Sequence, residues 1–234
     1  MKILTIIPAR CGSKGIENKN IIDVCGKPLI AYSIEQALLL KKNNLVDTVI
    51  VSTDCEKIAS VSSQHGADVP FLRPKQIASD SSKSIDYYTH TIEFFENKGI
   101  SFDAILLLQP TSPIRDYKTL LKAIEIFNNN NNNSLISVYK EEYISDLVMY
   151  NSINLNELTP LNKLHNQGVR RQDHGSVYVR NGAIYLTKIS YVKKNKMIVS
   201  DFPLYIEMKK SDSINVDTMD DLIMLRKRCE NLGN

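Results

Sequence analysis

An uninterrupted apolar run passes directly into a loop rich in glycine and basic residues near the start of the chain. The stretch reads KILTIIPARCGSKGIENKN, residues 2–20. A short, continuous apolar run is typical of a strand that helices cover on both faces. Open parallel sheets bind their ligands beyond the carboxyl ends of the strands. The loop that follows this run is therefore where a ligand site is expected.

Two more apolar runs have the same character, DTVIVST at residues 47–53 and DAILLLQP at residues 103–110. Helical patterns lie between and after them, at residues 28–42, 55–65, 84–98 and 117–127, and a further strand pattern lies at residues 135–139. Strands that are apolar throughout and alternate with helices indicate a mostly parallel sheet covered on both faces. We expect an α/β fold with three α/β/α layers and a Rossmann-like sheet.

The rest of the chain is less regular. Six consecutive asparagines, residues 128–133, are expected to end a helix and turn the chain, because asparagine tolerates left-handed backbone and competes for helix hydrogen bonds. Residues 140–177 are polar and lack buried-strand patterns, so we treat them as an excursion from the fold. Strand patterns resume with NGAIYLTK and DFPLYIEM, and a last helix is predicted at residues 219–229. We expect residues 1–234 to form one domain that carries the excursion.

Composition excludes several classes of protein. The 234 residues carry a formal net charge of +3, which is small for a nucleic-acid-binding domain. The first apolar run is too short for a secretion signal, and no run approaches a membrane span, so we expect a cytoplasmic protein that does not interact with membranes. The four cysteines are scattered without a Cys-x-x-Cys pair, so the sequence suggests neither a zinc site nor a redox dithiol, and reduced thiols are expected.

The loop after the first strand fits neither of two familiar phosphate-binding motifs. Gly12 and Gly15 lack the third glycine of the dinucleotide fingerprint, and the Walker pattern is missing. Glycines still allow the backbone close to a phosphate, and Arg10, Lys14 and Lys19 supply positive charge. Composition alone leaves two interpretations open, a phosphate-binding loop and a solvated basic turn.

Several segments of the sequence resemble those of a known family. IPARCGSKGIENKN closely resembles the opening signature of the cytidylyltransferases that activate acidic nine-carbon sugars. Further matching segments follow in family order: VIVSTD (49–54), LRPKQIASD (72–80), LLQPTSPIR (107–115), RRQD (170–173), NGAIY (181–185) and INVDT (214–218). They span nearly the whole chain. The resemblance implies the fold of the nucleotide-diphospho-sugar transferases and the coupling of CTP to an N-acylneuraminate or legionaminate, with release of pyrophosphate.

The resemblance also implies residues that bind and activate CTP. Arginine offers a forked donor to phosphate oxygens and lysine a point charge, so Arg10 is the first candidate for stabilising the reacting phosphate. The implied catalytic residues are Arg10, Lys14 and Lys19. The implied CTP-binding residues are Ala9, Arg10, Gly12, Ser13, Lys14, Asn20, Arg73 and Ser84. Taken by itself, Arg73 is better interpreted as a surface residue before a turn-forming proline.

Magnesium is the implied cofactor, since it accompanies nucleoside triphosphates and uses one or two carboxylates. The matching segment is INVDT, where related sialate enzymes usually show two aspartates. This chain has Asn215 and Asp217, so we expect both as metal ligands but with a weaker site than two carboxylates would form. A competing interpretation is helix capping, because Thr218 and Asp221 have nearly the spacing of a capping box.

The acceptor sugar carries a carboxylate, for which a bidentate arginine is the natural partner. By resemblance, Arg171 takes this role, and Gln109, Gln172, Asn181 and Tyr185 add hydrogen bonds to the sugar. Many sialate-specific members have a Pro-x-Lys stretch after the fifth strand, where this chain has EEYISDLV, residues 141–148. The departure favours a sialate-like relative such as legionaminate.

The resemblance implies that residues 140–177 form an arm that joins two subunits into a homodimer, and the leucines of this segment supply apolar surface for a partner. Three alternatives to the expected activity remain open. They are a CMP-Kdo synthetase, a CMP-pseudaminate synthetase and a non-catalytic nucleotide-binding homologue. LLQPTSP disfavours the first, and only Asn215 favours the last.

Overall fold

A six-stranded sheet organises the part of the chain that the structure describes. The computed structural model describes residues 1–12, 15–142, 144–167 and 177–232, without the side chains of residues 230–232. The strands of this sheet are β1 (Ile3–Pro8), β4 (Thr48–Ser52), β5 (Ala104–Leu107), β6 (Ser134–Glu141), β9 (Val177–Lys188) and β10 (Leu204–Glu207). Their order across the sheet is β10-β6-β9-β5-β1-β4.

The sheet is mostly parallel, as the sequence predicts. β1 pairs in parallel with both β4 and β5, and β6 pairs in parallel with β10. The exception is β9, which runs antiparallel between β5 and β6. Because of its direction, β9 brings its first half, and not its end, to the edge where β1, β4 and β5 finish.

The helices occupy both faces of the sheet. They are α1 (Leu29–Lys42), α2 (Glu56–Gln64), α3 (Ser84–Glu96), α4 (Tyr117–Asn129), α5 (Ile189–Asn195) and α6 (Met219–Leu232). Ile3 and Ile7 of β1 pack in one apolar cluster with α1, α2 and α4, whereas Leu4 and Ile6 pack in another with α3 and α5. This division explains why the strands are apolar at every position, since alternate side chains enter opposite cores.

Most predicted elements are confirmed within a few residues. The asparagine run behaves as expected, because α4 ends at Asn129 and β6 begins at Ser134. The sequence patterns missed α5, a helix of 7 residues with two lysines in its last turn. Within the described residues, every helix is too short or too polar to cross a lipid bilayer.

Two small hairpins accompany the main sheet. The first joins β2 (Asp23–Val24) and β3 (Lys27–Pro28), directly before α1. The second joins β7 (Tyr150–Asn154) and β8 (Glu157–Pro160), within the predicted excursion. All side chains of β7 are exposed. The second hairpin therefore gains little from burial within its own subunit.

A third apolar cluster fastens the end of the chain to its beginning. Ile16 and Leu29 pack there with Val216, Leu222 and Leu225. The backbone N–H of Val216 also donates to the carbonyl of Thr111 at 2.7 Å. The segment before α6 is thus held between the loop after β1 and the loop after β5.

Candidate active site

A cleft of about 440 Å³ opens at the edge where β1, β4 and β5 end. The loops after β1 and β5, the segment between α2 and α3, the start of α3 and the segment before α6 contribute to its walls. Seven residues predicted from sequence line it: Arg10, Lys19, Asn20, Arg73, Ser84, Gln109 and Asp217. They come from four of the matching segments and from the start of α3, and they meet because parallel strands direct their carboxyl ends to one edge of the sheet.

Two cations of the first loop face acidic partners across the cleft. One terminal guanidinium nitrogen of Arg10 lies 2.5 Å from a carboxylate oxygen of Asp80. Lys19 Nζ lies 2.8 Å from Asp217 Oδ1 and donates to the carbonyl of Val216 at 2.9 Å. Both pairs border open space, where a polyanion can compete for the cations. The Asn20 side chain holds the loop by donating to the carbonyl of Arg10 at 3.1 Å.

Gly15 lets the first loop lie directly against the segment before α6. A Cβ atom at this position would be 2.3 Å from the carbonyl oxygen of Asp217, far inside van der Waals contact. Only glycine permits this approach without a shift of one backbone. The loop that carries Arg10 and Lys19 therefore lies directly beside the segment that carries Asp217.

Arg73 is a buried residue, so its interpretation as a surface arginine is wrong. It is 5% exposed, its Nε donates to Ser52 Oγ at 3.1 Å, and it also donates to the Ser52 carbonyl. The guanidinium carbon lies 4.9 Å from the centre of the Tyr87 ring. Burial lowers the pKa of Arg73 and raises the pKa of Tyr87 to about 12. Tyr87 is thus a neutral neighbour, and it lines the cleft beside Ser84.

The capping interpretation of the segment before α6 is confirmed for Thr218 and Asp221. Asp221 Oδ2 accepts from the N–H of Thr218 at 2.8 Å, and Thr218 Oγ1 accepts from the N–H of Asp221 at 3.3 Å. The hydroxyl of Thr218 is the main cause of a lowered pKa at Asp221. Because these two residues form the cap, the Asp217 carboxylate remains directed at the cleft.

Asp217 and Asn215 form a small polar group with Lys19 and Ser112. The side-chain amide of Asn215 donates to Asp217 Oδ2, and the Ser112 hydroxyl donates to Asn215 Oδ1 at 3.2 Å. The Asp217 side chain is 63% exposed. No group of three or more His, Cys, Asp or Glu residues that could hold a metal occurs in the described residues. One carboxylate beside one amide still suits magnesium, which takes much of its coordination from phosphate oxygens and water.

The first half of β9 lies beside the loop after β5. Gly182 has φ of +77°, and a Cβ there would be 2.9 Å from Gln109 Oε1. Asn181 is 6% exposed and uses its amide internally, accepting from the Ser137 hydroxyl at 2.5 Å and donating to Ser213 Oγ at 2.9 Å. These contacts hold a bulge in β9 and place Gly182 against Gln109.

Some predicted residues stand apart from the cleft walls. Tyr185 is buried in the core beside α3 and α5, where burial raises its pKa. Ala9 is buried and donates its N–H to the Ser52 carbonyl at 3.0 Å. Gly12 is exposed and does not line the cleft. Ser13, Lys14, Arg171 and Gln172 lie outside the described residues.

Sequence reasoning missed the part that Arg115 plays. Its guanidinium is 4% exposed and donates to the carbonyls of Ala183, at 2.8 Å, and Gln109, at 3.3 Å, and to Gln36 Oε1, at 2.8 Å. Burial lowers the pKa of Arg115. Its bonds tie the loop after β5 to β9 and α1, so Arg115 fixes the wall that presents Gln109. In the sequence, Arg115 is the last residue of LLQPTSPIR, and nothing there indicates that it is buried.

Comparison with known proteins gives the family. A family model described as cytidylyltransferase matches residues 4–204. A CMP-N,N'-diacetyllegionaminic acid synthase of Legionella pneumophila is 34% identical over 236 residues, covering 98% of this chain and 97% of that protein. A pseudaminic acid cytidylyltransferase of Campylobacter jejuni is 33% identical over 223 residues, covering 95% of this chain and 94% of that protein.

A solved structure of another protein has a similar fold. A structure described as CMP:2-keto-3-deoxy-manno-octonic acid synthetase complexed with CTP matches with a TM-score of 0.73 at 16% identity. The match covers 99% of this chain and 100% of the other, so the two share their fold throughout. With the family model and both relatives in agreement, the chain belongs to the cytidylyltransferase family.

Proposed function

We propose that the protein couples CTP to an acidic nine-carbon sugar of the N-acylneuraminate or legionaminate type. The anomeric hydroxyl of the sugar attacks the α-phosphorus, an O–P bond forms, the bond to the β-phosphate breaks, and pyrophosphate leaves. The observation that carries the proposal is the convergence of Arg10, Lys19, Arg73 and Asp217 on one cleft. Phosphoryl transfer depends mainly on alignment and on positive charge placed where negative charge develops.

The proposed roles follow from the chemistry of the side chains. Arg10 exchanges its ion pair with Asp80 for phosphoryl oxygens, and its forked donors suit a charge that grows during the reaction. Lys19 holds the outer phosphates from the same loop. Arg73 and Ser84 face the cytidine. The cytoplasm supplies CTP, which agrees with the location expected from the sequence.

We propose magnesium as the cofactor, held by Asp217 with help from Asn215. Bound magnesium would neutralise part of the triphosphate charge. The protein's own task at this point is to present the Asp217 carboxylate, and the hydrogen bond from Asn215 to that carboxylate fixes its direction. Lys19 offsets the negative charge of Asp217 before the nucleotide arrives.

The sugar is the least determined part of the proposal. The legionaminate and pseudaminate relatives are nearly equally similar, at 34% and 33% identity, so pseudaminate is the second candidate. Pyrophosphate release should be measured with CTP and, in separate reactions, N-acetylneuraminic, legionaminic, pseudaminic and Kdo acids, with and without magnesium. We expect turnover with a nine-carbon acid only, and only with magnesium. Preference for the eight-carbon Kdo, or CTP binding without any turnover, would contradict the proposal.

We also propose that residues 140–177 form the arm of a twofold dimer. The described part of this segment exposes many large apolar side chains: Val148, Met149, Tyr150, Ile153, Leu155, Leu158, Leu161 and Leu164. Leu155 is 100% exposed. A cluster of this kind on a hairpin is typical of a surface that a partner covers. An identical subunit meets this need by placing two such arms around one twofold axis.

Charged residues in the arm should separate the subunits. We expect the double substitution Leu155→Glu and Leu158→Glu to convert a dimer into a monomer, measured by light scattering after size-exclusion chromatography. The matched control is Phe202→Glu, which charges another apolar side chain, 87% exposed and outside the arm, and should leave the dimer intact. A wild-type monomer at working concentration would contradict the dimer.

A further inference from the structure

Cys11 and Cys55 occupy equivalent places after two neighbouring strands. Pro8 of β1 is paired with Ser52 of β4, and each cysteine follows its strand end by three residues. The N–H of Cys11 donates to Asp54 Oδ1 at 2.8 Å, which holds the first loop against the turn before α2. Two cysteines far apart in sequence are thus adjacent in the fold.

The two thiols are also close neighbours. The Cys55 side chain is the main cause of a raised pKa at the Cys11 thiol. Neighbouring strands lie about 4.8 Å apart, and disulfides bridge Cα atoms about 4.4–6.8 Å apart. Cys11 is exposed and Cys55 is partly exposed, so small oxidants can reach both. The adjacent strand ends, the proximity of the thiols and their access to solvent together favour a reversible disulfide.

We propose that Cys11 and Cys55 form a modification site, an intrachain disulfide made on exposure to hydroperoxides, that weakens nucleotide binding in the adjacent cleft. The bond would join the root of the loop that carries Arg10 to the turn that begins α2. The disulfide itself is independent of the proposed function, whereas its effect on CTP rests on that function.

The chemistry balances with hydrogen peroxide as the oxidant. One thiolate attacks a peroxide oxygen, the O–O bond breaks, and a sulfenic acid and one water form. The second thiolate attacks the sulfenic sulfur, an S–S bond forms, and a second water leaves. Two thiols and one peroxide give one disulfide and two waters, and the two electrons pass from sulfur to the peroxide oxygens.

The effect on the cleft follows from the position of Cys11 in the chain. Arg10 precedes it directly and reaches across the cleft to Asp80. An S–S bond of about 2.05 Å is much shorter than a contact between two thiols, so oxidation draws Cys11 towards Cys55. This displacement pulls the backbone of Arg10 towards α2.

The protonation of Cys11 sets the conditions for the test. The Cys55 side chain, burial and the nearby Asp54 raise the pKa of Cys11, and Lys57 lowers it by less. A raised pKa leaves less thiolate at neutral pH, so oxidation should be carried out at about pH 8.5. The other two cysteines serve as an internal comparison, because they lie elsewhere in the fold. Cys25 Sγ donates to the Arg226 carbonyl at 3.6 Å, and Cys229 packs against the same apolar cluster as Tyr32.

The first measurement locates the bond without any use of activity. The protein is treated with one equivalent of hydrogen peroxide, alkylated, digested without reduction and examined by mass spectrometry. We expect a peptide containing Cys11 linked to one containing Cys55, with the mass reduced by two hydrogens. Sulfinic or sulfonic acids at these cysteines without a link, a link between Cys25 and Cys229, or links between chains would overturn the site.

The second measurement tests the consequence. We expect calorimetry to show CTP binding at least about tenfold weaker in the oxidised protein, restored by dithiothreitol. Cys55→Ser should abolish the loss on oxidation, and the matched control Cys25→Ser should retain it. A linked protein with unchanged CTP affinity would overturn the effect on binding. If the reduced protein bound no CTP, the proposed function would fail while the mass measurement still decided the disulfide.

Discussion

Replacing Arg10 by alanine is expected to lower kcat by about a thousandfold, the loss typical of removing a forked donor from developing phosphoryl charge. Arg10 lies two residues after the end of β1, lines the cleft and is 33% exposed in its side chain, so a phosphate can reach it. Its ion-pair partner is Asp80, at 2.5 Å. Steady-state pyrophosphate release measures the loss.

Two variants separate the geometry of Arg10 from its charge. Arg10→Lys keeps the charge and loses the fork, so we expect an intermediate rate. Arg226→Ala is the matched control, because Arg226 lies on α6 outside the cleft and donates to the Asp23 carbonyl at 2.7 Å. It should retain the wild-type rate. An Arg10→Ala rate within threefold of wild type would mean that Arg10 serves only its ion pair with Asp80.

The Asp217→Ala variant is expected to lose magnesium-dependent turnover by at least about a hundredfold while it stays folded. Asp217 is the carboxylate of the segment before α6 that points into the cleft. Its side chain is largely exposed, and the cap of α6 depends on Thr218 and Asp221 instead. The ion pair with Lys19 is open to solvent on the Asp217 side, so its loss should change the free energy of unfolding by about 1 kcal/mol. Turnover and urea denaturation measure the two effects.

The first turn of α6 offers a control for Asp217. Asp220→Ala removes an exposed carboxylate three residues further along, outside the cleft, and should keep its turnover. Asn215→Asp adds a second carboxylate, so we expect half-maximal turnover at a lower magnesium concentration. Near-normal turnover of Asp217→Ala would remove the metal role, and an Asp217→Ala variant that unfolds would assign Asp217 to the fold.

The strands of the sheet could be predicted from the sequence where both faces are buried, because such strands are apolar at every position. β1, β4 and β5 are apolar on both faces, which distinguishes them from half-exposed strands. The direction of β9 was not readable, because an apolar strand has the same pattern whether its neighbours are parallel or antiparallel. That direction matters for the site, since it places Gly182 beside Gln109.

Site residues could be predicted from the sequence where they follow the end of a buried strand. Arg10 and Gln109 come directly after apolar runs, so topology alone brings them to one edge of the sheet. Contacts that depend on side-chain packing were not readable. Arg115 looks like a surface residue in sequence and is buried against four neutral acceptors. Nothing in the sequence indicates that Cys11 and Cys55 lie close together, because they are far apart in the chain.

The central claim is that the loop after β1 and the segment before α6 together grip CTP. Isothermal calorimetry of the purified protein with CTP and magnesium tests this claim most directly, with ATP as the comparison nucleotide. We predict heat of binding with CTP, tightened by magnesium, and at least about tenfold weaker binding of ATP. No heat with CTP in the presence of magnesium, or equal binding of both nucleotides, would contradict the account.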